Sequence, residues 1–214
     1  MLDDPQLLRQ LGVSPYRQRL PWLGGDLQTL RDTLRPLELP QDQGEPITIP
    51  VPALASGAAG AGALLAYLDR PRHPQSAARG LVVVLHGLGG SSRREGLRRL
   101  GLSLQGAGFA VLRLNLRGAD PGRHLAGGTY AAACNSDLLP VLARARVLAE
   151  ELGQETAGCR PLPLYGAGIS LGGTMLLNAS LASPGVLDAL ICADRKSTRL
   201  NSSHSSVSRM PSSA

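Results

Sequence analysis

Lysine is all but missing from this chain: of 22 basic residues in 214, only Lys196 is lysine. Aromatics are scarce too, one Trp, one Phe and four Tyr, too few flat side chains for a base-stacking nucleic-acid surface. No apolar run approaches the ~18 residues of a membrane-spanning helix, so no transmembrane segment is expected. The start, Met1-Leu2-Asp3-Asp4-Pro5, is acidic and lacks the apolar core of a secretory signal. The three cysteines, Cys134, Cys159 and Cys192, are odd in number and follow no metal spacing. They read as reduced, mostly buried small hydrophobes of a cytoplasmic protein, with no metal or cofactor implied.

The formal charge of +6 invites a nucleic-acid partner, but its distribution argues otherwise. Eight of the last 21 residues are serine, against ten in the preceding 193. The stretch from Asp194 through Lys196 to His204, and again from Ser208 to Ala214, resembles a translated sequencing-library adapter. The competing reading is a Ser-rich basic tail that binds something acidic. Without residues 194–214, eighteen basic residues face fifteen acidic ones, a formal charge of +3, and no nucleic-acid partner is expected.

What remains divides into a leader, residues 1–45, and a domain, residues 46–193. The leader carries short helical patterns at Pro5–Leu11 and Asp26–Leu34, the latter with Leu27, Leu30 and Leu34 at helical spacing. Pro46–Val51 and Ala63–Leu68 fit an antiparallel hairpin joined by the Gly/Ala-rich turn Ser56–Gly62, with Pro50 favouring an edge position. Arg70–Ala78 reads as a polar loop. Leu81–Leu85, apolar on both faces and rich in valine, predicts a buried parallel strand. A helix is expected over Glu95–Gln105, with Leu97, Leu100 and Leu104 inward and Arg94, Arg98 and Arg99 most simply on a solvated face. Further strands are expected at Phe109–Leu114, Leu162–Tyr165 and Leu187–Cys192, and helices at Asp137–Leu152 and Thr174–Ala182. Strands alternating with helices after an initial hairpin predict an α/β domain with a mainly parallel sheet. Its ligand site should lie beyond the carboxyl ends of the strands.

The stretch Gly168-Ile169-Ser170-Leu171-Gly172 has the G-x-S-x-G spacing of a nucleophile elbow, a sharp strand-to-helix turn presenting a serine hydroxyl. Glycines are needed there because a Cβ would collide with backbone where the turn is tightest. Acyl transfer needs a nucleophile, a base and donors for the oxyanion. Ser170 is the candidate nucleophile. The backbone amides of Leu171 and Leu88 are the candidate donors, and His86 and Gly87, at the end of the preceding strand, shape the oxyanion loop. His86 is not expected to be the base, which in this architecture follows the acid in the order Ser…Asp/Glu…His. His124 reads as a solvated loop histidine and His73 as bland. Asp188 precedes the last strand, at the wrong end of the sheet, and Asp194 with His204 mimics a triad only if the tail is native.

Leu27-Gln28-Thr29, His86-Gly87-Leu88-Gly89-Gly90-Ser91, Asn115-Leu116-Arg117-Gly118 and Gly168 through Leu176 together resemble the YheT-like branch of the α/β-hydrolases, over roughly Pro21 to Cys192. The resemblance implies an α/β-hydrolase fold, mainly parallel with a leading antiparallel hairpin, and incomplete because the last strands with the triad acid and histidine are missing. It also implies a serine hydrolase of esterase/lipase type acting on a small-molecule or lipid ester. The chain departs from the family at Tyr130–Asp137, where the resemblance implies a Tyr-His/Ser-x-x-x-x-Asp-like stretch and Ala131 follows Tyr130. By itself the chain is expected to be inactive. A non-catalytic binding or interaction module of the same fold is the alternative.

Overall fold

The computed structural model describes residues 5–10, 20–21, 23–24, 27, 38–54, 60–72, 78–130, 135–155 and 160–193. The expected helix at Asp26–Leu34 apart from Leu27, most of the turn before Gly62, part of the polar loop after Arg70 and residues 194–214 lie outside the described residues. Residues 1–40 and 41–214 form two compact units. In the first, helix α1 spans Pro5–Gln10.

In the second unit six strands form one sheet: β1 (Glu45–Val51), β2 (Gly62–Asp69), β3 (Leu81–Leu85), β4 (Ala110–Leu114), β5 (Leu164–Ile169) and β6 (Ala189–Ala193), in the order β1-β2-β4-β3-β5-β6. β1 pairs with β2, and β2 with β4, antiparallel; β4, β3, β5 and β6 run parallel. Pro50 does sit on an edge strand, where its missing N–H interrupts no ladder on the outer side.

Helices cover both faces. On one, Val82, Val84 and Val111 meet Leu97 of α2 (Glu95–Gly106), with Leu100 and Leu104 packed alongside. On the other, Leu81, Val83, Leu85, Leu112 and Leu114 meet α3 (Asn135–Gln154) and α4 (Leu171–Ala182). The period-2 alternation of strand side chains thus sends odd and even residues of β3 into two separate cores. Each fully buried Leu or Val contributes about 1.5–3 kcal/mol relative to exposure.

The strand into the elbow is not Leu162–Tyr165 but Leu164–Ile169, and the helix after it begins at Leu171 rather than Thr174. Glycine content hides this strand locally, yet it is paired on both sides, Gly166 with Val83 and Leu190, Gly168 with Leu85 and Cys192. A Cβ on Gly166 would stand 2.8 Å from Leu187 and 3.0 Å from Leu190 side-chain carbons, so the sheet has only hydrogen atoms' room there. The final strand is likewise displaced, to Ala189–Ala193.

β6 pairs only with β5 among the described residues. Ile191 on it is 69% exposed and Leu181 of α4 is 72% exposed. Cys192, expected to be buried, is exposed for the same reason; Cys134 and Cys159 lie outside the described residues.

Candidate active site

Ser170 is the single residue between β5 and α4, and it is exposed. Its φ of 52° and ψ of −118° make it the one non-glycine residue with positive φ among the described residues. Such a conformation costs on the order of 1–3 kcal/mol and persists only where neighbours enforce it. Here they do. The Ser170 N–H donates to Ala193 O at 2.7 Å, and its carbonyl accepts from Gly173 at 2.9 Å and Thr174 at 3.3 Å. A Cβ on Gly168 would fall 2.3 Å from Gly173 N, and one on Gly172 would fall 2.6 Å from His86 O. The first glycine therefore permits the turn, and the second lets α4 close onto the end of β3.

The segment following β3 packs against this turn. A Cβ on Gly87 would lie 3.1 Å from Ile169 O and 3.3 Å from Ser170 Cβ. Gly90 N–H closes a turn onto Gly87 O at 3.1 Å, Gly89 adopts φ 66°, and Leu88 is 81% exposed at the tip. The backbone amides of Leu88 and Leu171 donate to no acceptor among the described residues. The Leu171 amide is one of the orphan donors that open every helix, and the positive end of α4's dipole lies with it.

His86 is buried, with both ring nitrogens engaged. The Leu116 N–H donates to Nε2 at 3.2 Å, and Nδ1 lies 2.7 Å from Gly87 O. A backbone N–H can only donate, so Nε2 must carry the lone pair and Nδ1 the proton, which it gives to Gly87 O. Burial holds the His86 pKa below the ordinary histidine value, against the opposing pull of the Gly87 carbonyl. The neutral ring is thereby spent on bracing the loop between β3 and β4.

This has a pH consequence. Unfolded His86 takes up a proton near pH 6.5, whereas the folded ring resists protonation until lower pH. In that window the unfolded chain binds more protons, so stability rises with pH. The contribution is complete above about pH 6.5 and is lost as pH falls through the lowered folded value. Urea midpoints from pH 7.5 to 5.0 should fall for the parent and fall less steeply for His86→Gln. Equal slopes would show that His86 titrates as freely folded as unfolded.

Several contributors escape a local reading of the sequence. Tyr130 Oη accepts the Gly89 N–H at 2.8 Å, and its ring meets His86 edge-on at 5.7 Å. Asn115 Oδ1 accepts the Ser92 N–H at 2.9 Å while its Nδ2 donates to Leu65 O at 3.1 Å. Arg117 makes a bidentate pair with Asp137 at 2.9 and 2.7 Å, the two side chains 0% and 2% exposed, and also donates to Gly127 O and Pro52 O. Arg113 joins Asp69, Asp42 and Ser92 O beneath α2. Burial opposes its charge, but the bonds to Asp69 and Asp42 outweigh that and raise its pKa. The Asn115-Leu116-Arg117-Gly118 run was visible as a motif; its partners, 10 to 65 residues distant, were not.

Asp188 stands at the amino end of β5. It accepts the Leu164 N–H at 2.7 Å and pairs with Arg146 at 2.9 Å, and both bonds, the amide first, lower its pKa. Ser170 lies six residues further along the strand direction, about 20 Å away. His124 is exposed in a 3-10 turn, Arg123–Leu125. His73, Asp194 and His204 lie outside the described residues. Among the described residues no group of three or more His, Cys, Asp or Glu could hold a metal, and no helix is long and apolar enough to cross a membrane.

A cleft of about 500 Å³ is lined by the Leu88 tip and the loop after β4. Ser170 is not part of its wall. Arg94, Asp120, Arg123 and Tyr130 are.

No protein-family model matches the chain, and no curated protein matches it. Solved structures do. A thermostable carboxyl esterase from Bacillus coagulans, in complex with glycerol, aligns at 19% identity and a TM-score of 0.50, over 69% of this chain and 43% of that one. A protein of unknown function from Agrobacterium tumefaciens, described as a candidate α/β hydrolase, aligns at 20% identity and 0.50, over 72% and 62%. An α/β serine hydrolase without lid from Xanthomonas campestris aligns at 21% and 0.48, over 72% and 63%. The chain has an α/β-hydrolase fold, and it spans less than two thirds of the length of each of these structures.

Proposed function

We propose that this chain is the amino-terminal part of a serine hydrolase of the YheT-like branch, acting on carboxylic esters of small molecules or lipids. The observation that carries the reading is the strained, exposed Ser170 at the head of α4, with glycines on both sides and the Leu88 loop packed against it. In this reading Ser170 Oγ attacks the ester carbonyl carbon and its proton passes to a histidine base. The carbonyl oxygen takes the negative charge, facing the unpartnered amides of Leu171 and Leu88. Collapse of the tetrahedral intermediate expels the alcohol, protonated by that histidine, and water then releases the acid by the same route. One such donor is worth about 3 kcal/mol of transition-state stabilisation. His86 and Gly87 shape the loop that aims the Leu88 amide.

The base is not His86, whose ring nitrogens both have partners, and the acid is not Asp188. In this reading the triad acid and histidine lie on the later strands that the YheT-like resemblance implies and that this chain does not contain. The 214-residue chain alone should show negligible ester turnover. A non-catalytic binding module is the second reading, and what favours it is the lack of a free histidine beside Ser170 among the described residues.

Fluorophosphonate labelling separates the two. In the product of the uninterrupted gene, a fluorophosphonate should modify Ser170, located by peptide mass spectrometry. A clean protein that turns over no short-chain aryl ester and takes no label at Ser170 would favour the binding module.

A further inference from the structure

The cleft beside the Leu88 tip has a composition unlike that of an acyl-chain tunnel. Its lining residues include two arginines, Arg94 and Arg123, one aspartate, Asp120, and Tyr130; Leu88 is the only large aliphatic residue among them. Arg123 is partly committed, its Nε donating to Gly118 O at 3.0 Å and its guanidinium 3.5 Å from Asp120. Arg94 is not. It stands before the first residue of α2, makes no capping bond, and its guanidinium has no partner among the described residues. Its two neighbours on the same helix are spoken for, Arg98 by Asp42 at 3.7 Å and Arg99 by Glu95 at 3.8 Å. The cleft therefore carries one uncompensated positive charge.

Its position matters as much as its charge. Gly87 touches the Ser170 turn, and Leu88, the next residue, forms the cleft wall. The loop that packs against Ser170 is therefore the same loop that walls the cleft, one residue further on. A volume of about 500 Å³ suits a small polar group, within the ordinary range of ligand pockets. A long alkyl chain there would desolvate Arg94 without giving it a partner, a costly exchange. A carboxylate or phosphate would instead meet the planar donors of Arg94.

We propose that this cleft is the subsite for an anionic group carried by the ester substrate, with Arg94 as its principal ligand and Arg123 flanking it. The inference deepens the reading of Ser170 as nucleophile and rests on it. The enzyme is thus specific for esters that bear a carboxylate or phosphate a few atoms from the scissile carbonyl, with Arg94 determining that preference.

The test compares 4-nitrophenyl hemisuccinate with 4-nitrophenyl butyrate, acyl groups of the same length that differ in a carboxylate replacing a methyl. In the product of the uninterrupted gene the ratio of kcat/KM values should favour hemisuccinate. That ratio should drop about fivefold to tenfold in Arg94→Gln, the scale of one charged hydrogen bond, and recover in part in Arg94→Lys. Raising ionic strength should compress the ratio for the parent and not for Arg94→Gln. Butyrate preferred by the parent, or a ratio that survives Arg94→Gln, would overturn the subsite while leaving the hydrolase reading intact. If neither ester is cleaved and Ser170 takes no label, the hydrolase reading fails instead. Calorimetric titration of the 214-residue chain with succinate then decides the cleft alone: binding weakened by Arg94→Gln supports it, and no binding overturns it.

Discussion

Ser170→Ala in the full-length gene product should lower kcat on short-chain aryl esters by about 10⁴- to 10⁶-fold and abolish fluorophosphonate labelling. The size follows from how a nucleophile and its base act as one unit, so that removing the serine costs nearly as much as removing the whole triad. What survives, about 10³- to 10⁴-fold over water, is the work of the oxyanion hole and substrate binding. Alanine keeps the Cβ and so keeps the φ of 52° and the bonds from Ser170 N–H and C=O that hold the turn. Melting temperature should therefore move little, which separates loss of chemistry from loss of fold. Ser170→Gly should be just as inactive yet more stable, since glycine adopts positive φ without strain. Labelling that persists in either variant, at any serine that supports turnover, would remove Ser170 from the mechanism.

The second large effect is on stability. Asp137→Ala should destabilise the domain by about 3–5 kcal/mol, the usual result of stripping one partner from a buried ion pair. Arg117 would stay behind, fully buried, without the carboxylate that now binds it through two bonds. That is a large share of a typical domain's 5–15 kcal/mol. A double substitution, Arg117→Met with Asp137→Leu, should recover much of the loss, because well-packed apolar residues often replace a buried pair without net cost. Urea denaturation of the three proteins checks both statements. A loss of 1 kcal/mol or less in Asp137→Ala would mean that water reaches the pair.

This pair also bears on the site. Arg117 ties Gly127 O and Pro52 O to α3 through Asp137, and the same loop delivers Tyr130 to Gly89. Loosening it would release the brace on the Leu88 loop and one wall of the cleft. The geometry of the Leu88 loop thus depends on a salt bridge remote from Ser170.

Much of this was legible in the residues themselves. Leu81–Leu85 announces a buried strand because valines apolar on both faces have nowhere else to go. The spacing of Gly168, Ser170 and Gly172 marks a turn that only small residues can make, and the helix pattern after it shows where the serine points. Pro50 on an edge strand and the hairpin before it follow from the same short-range rules. Where local signals were weak, boundaries slipped: β5 is built on glycines, and only its pairing with β3 and β6 makes it a strand.

The tertiary structure alone decided what the polar residues do. Nothing around His86 says that Leu116, 30 residues on, will donate to its Nε2 and occupy that nitrogen's lone pair. Nothing near Arg113 names Asp42, 71 residues away, or near Gly89 names Tyr130, 41 away. Propensity and periodicity act over a few residues, because sterics and burial of a face are local. A side chain's charge state and partners are set by whatever the fold brings within 3 Å. So Ser170 could be found from its neighbours in the chain, whereas the unpartnered Arg94 and the cleft it lines exist only once α2, the Leu88 loop and the loop after β4 have come together.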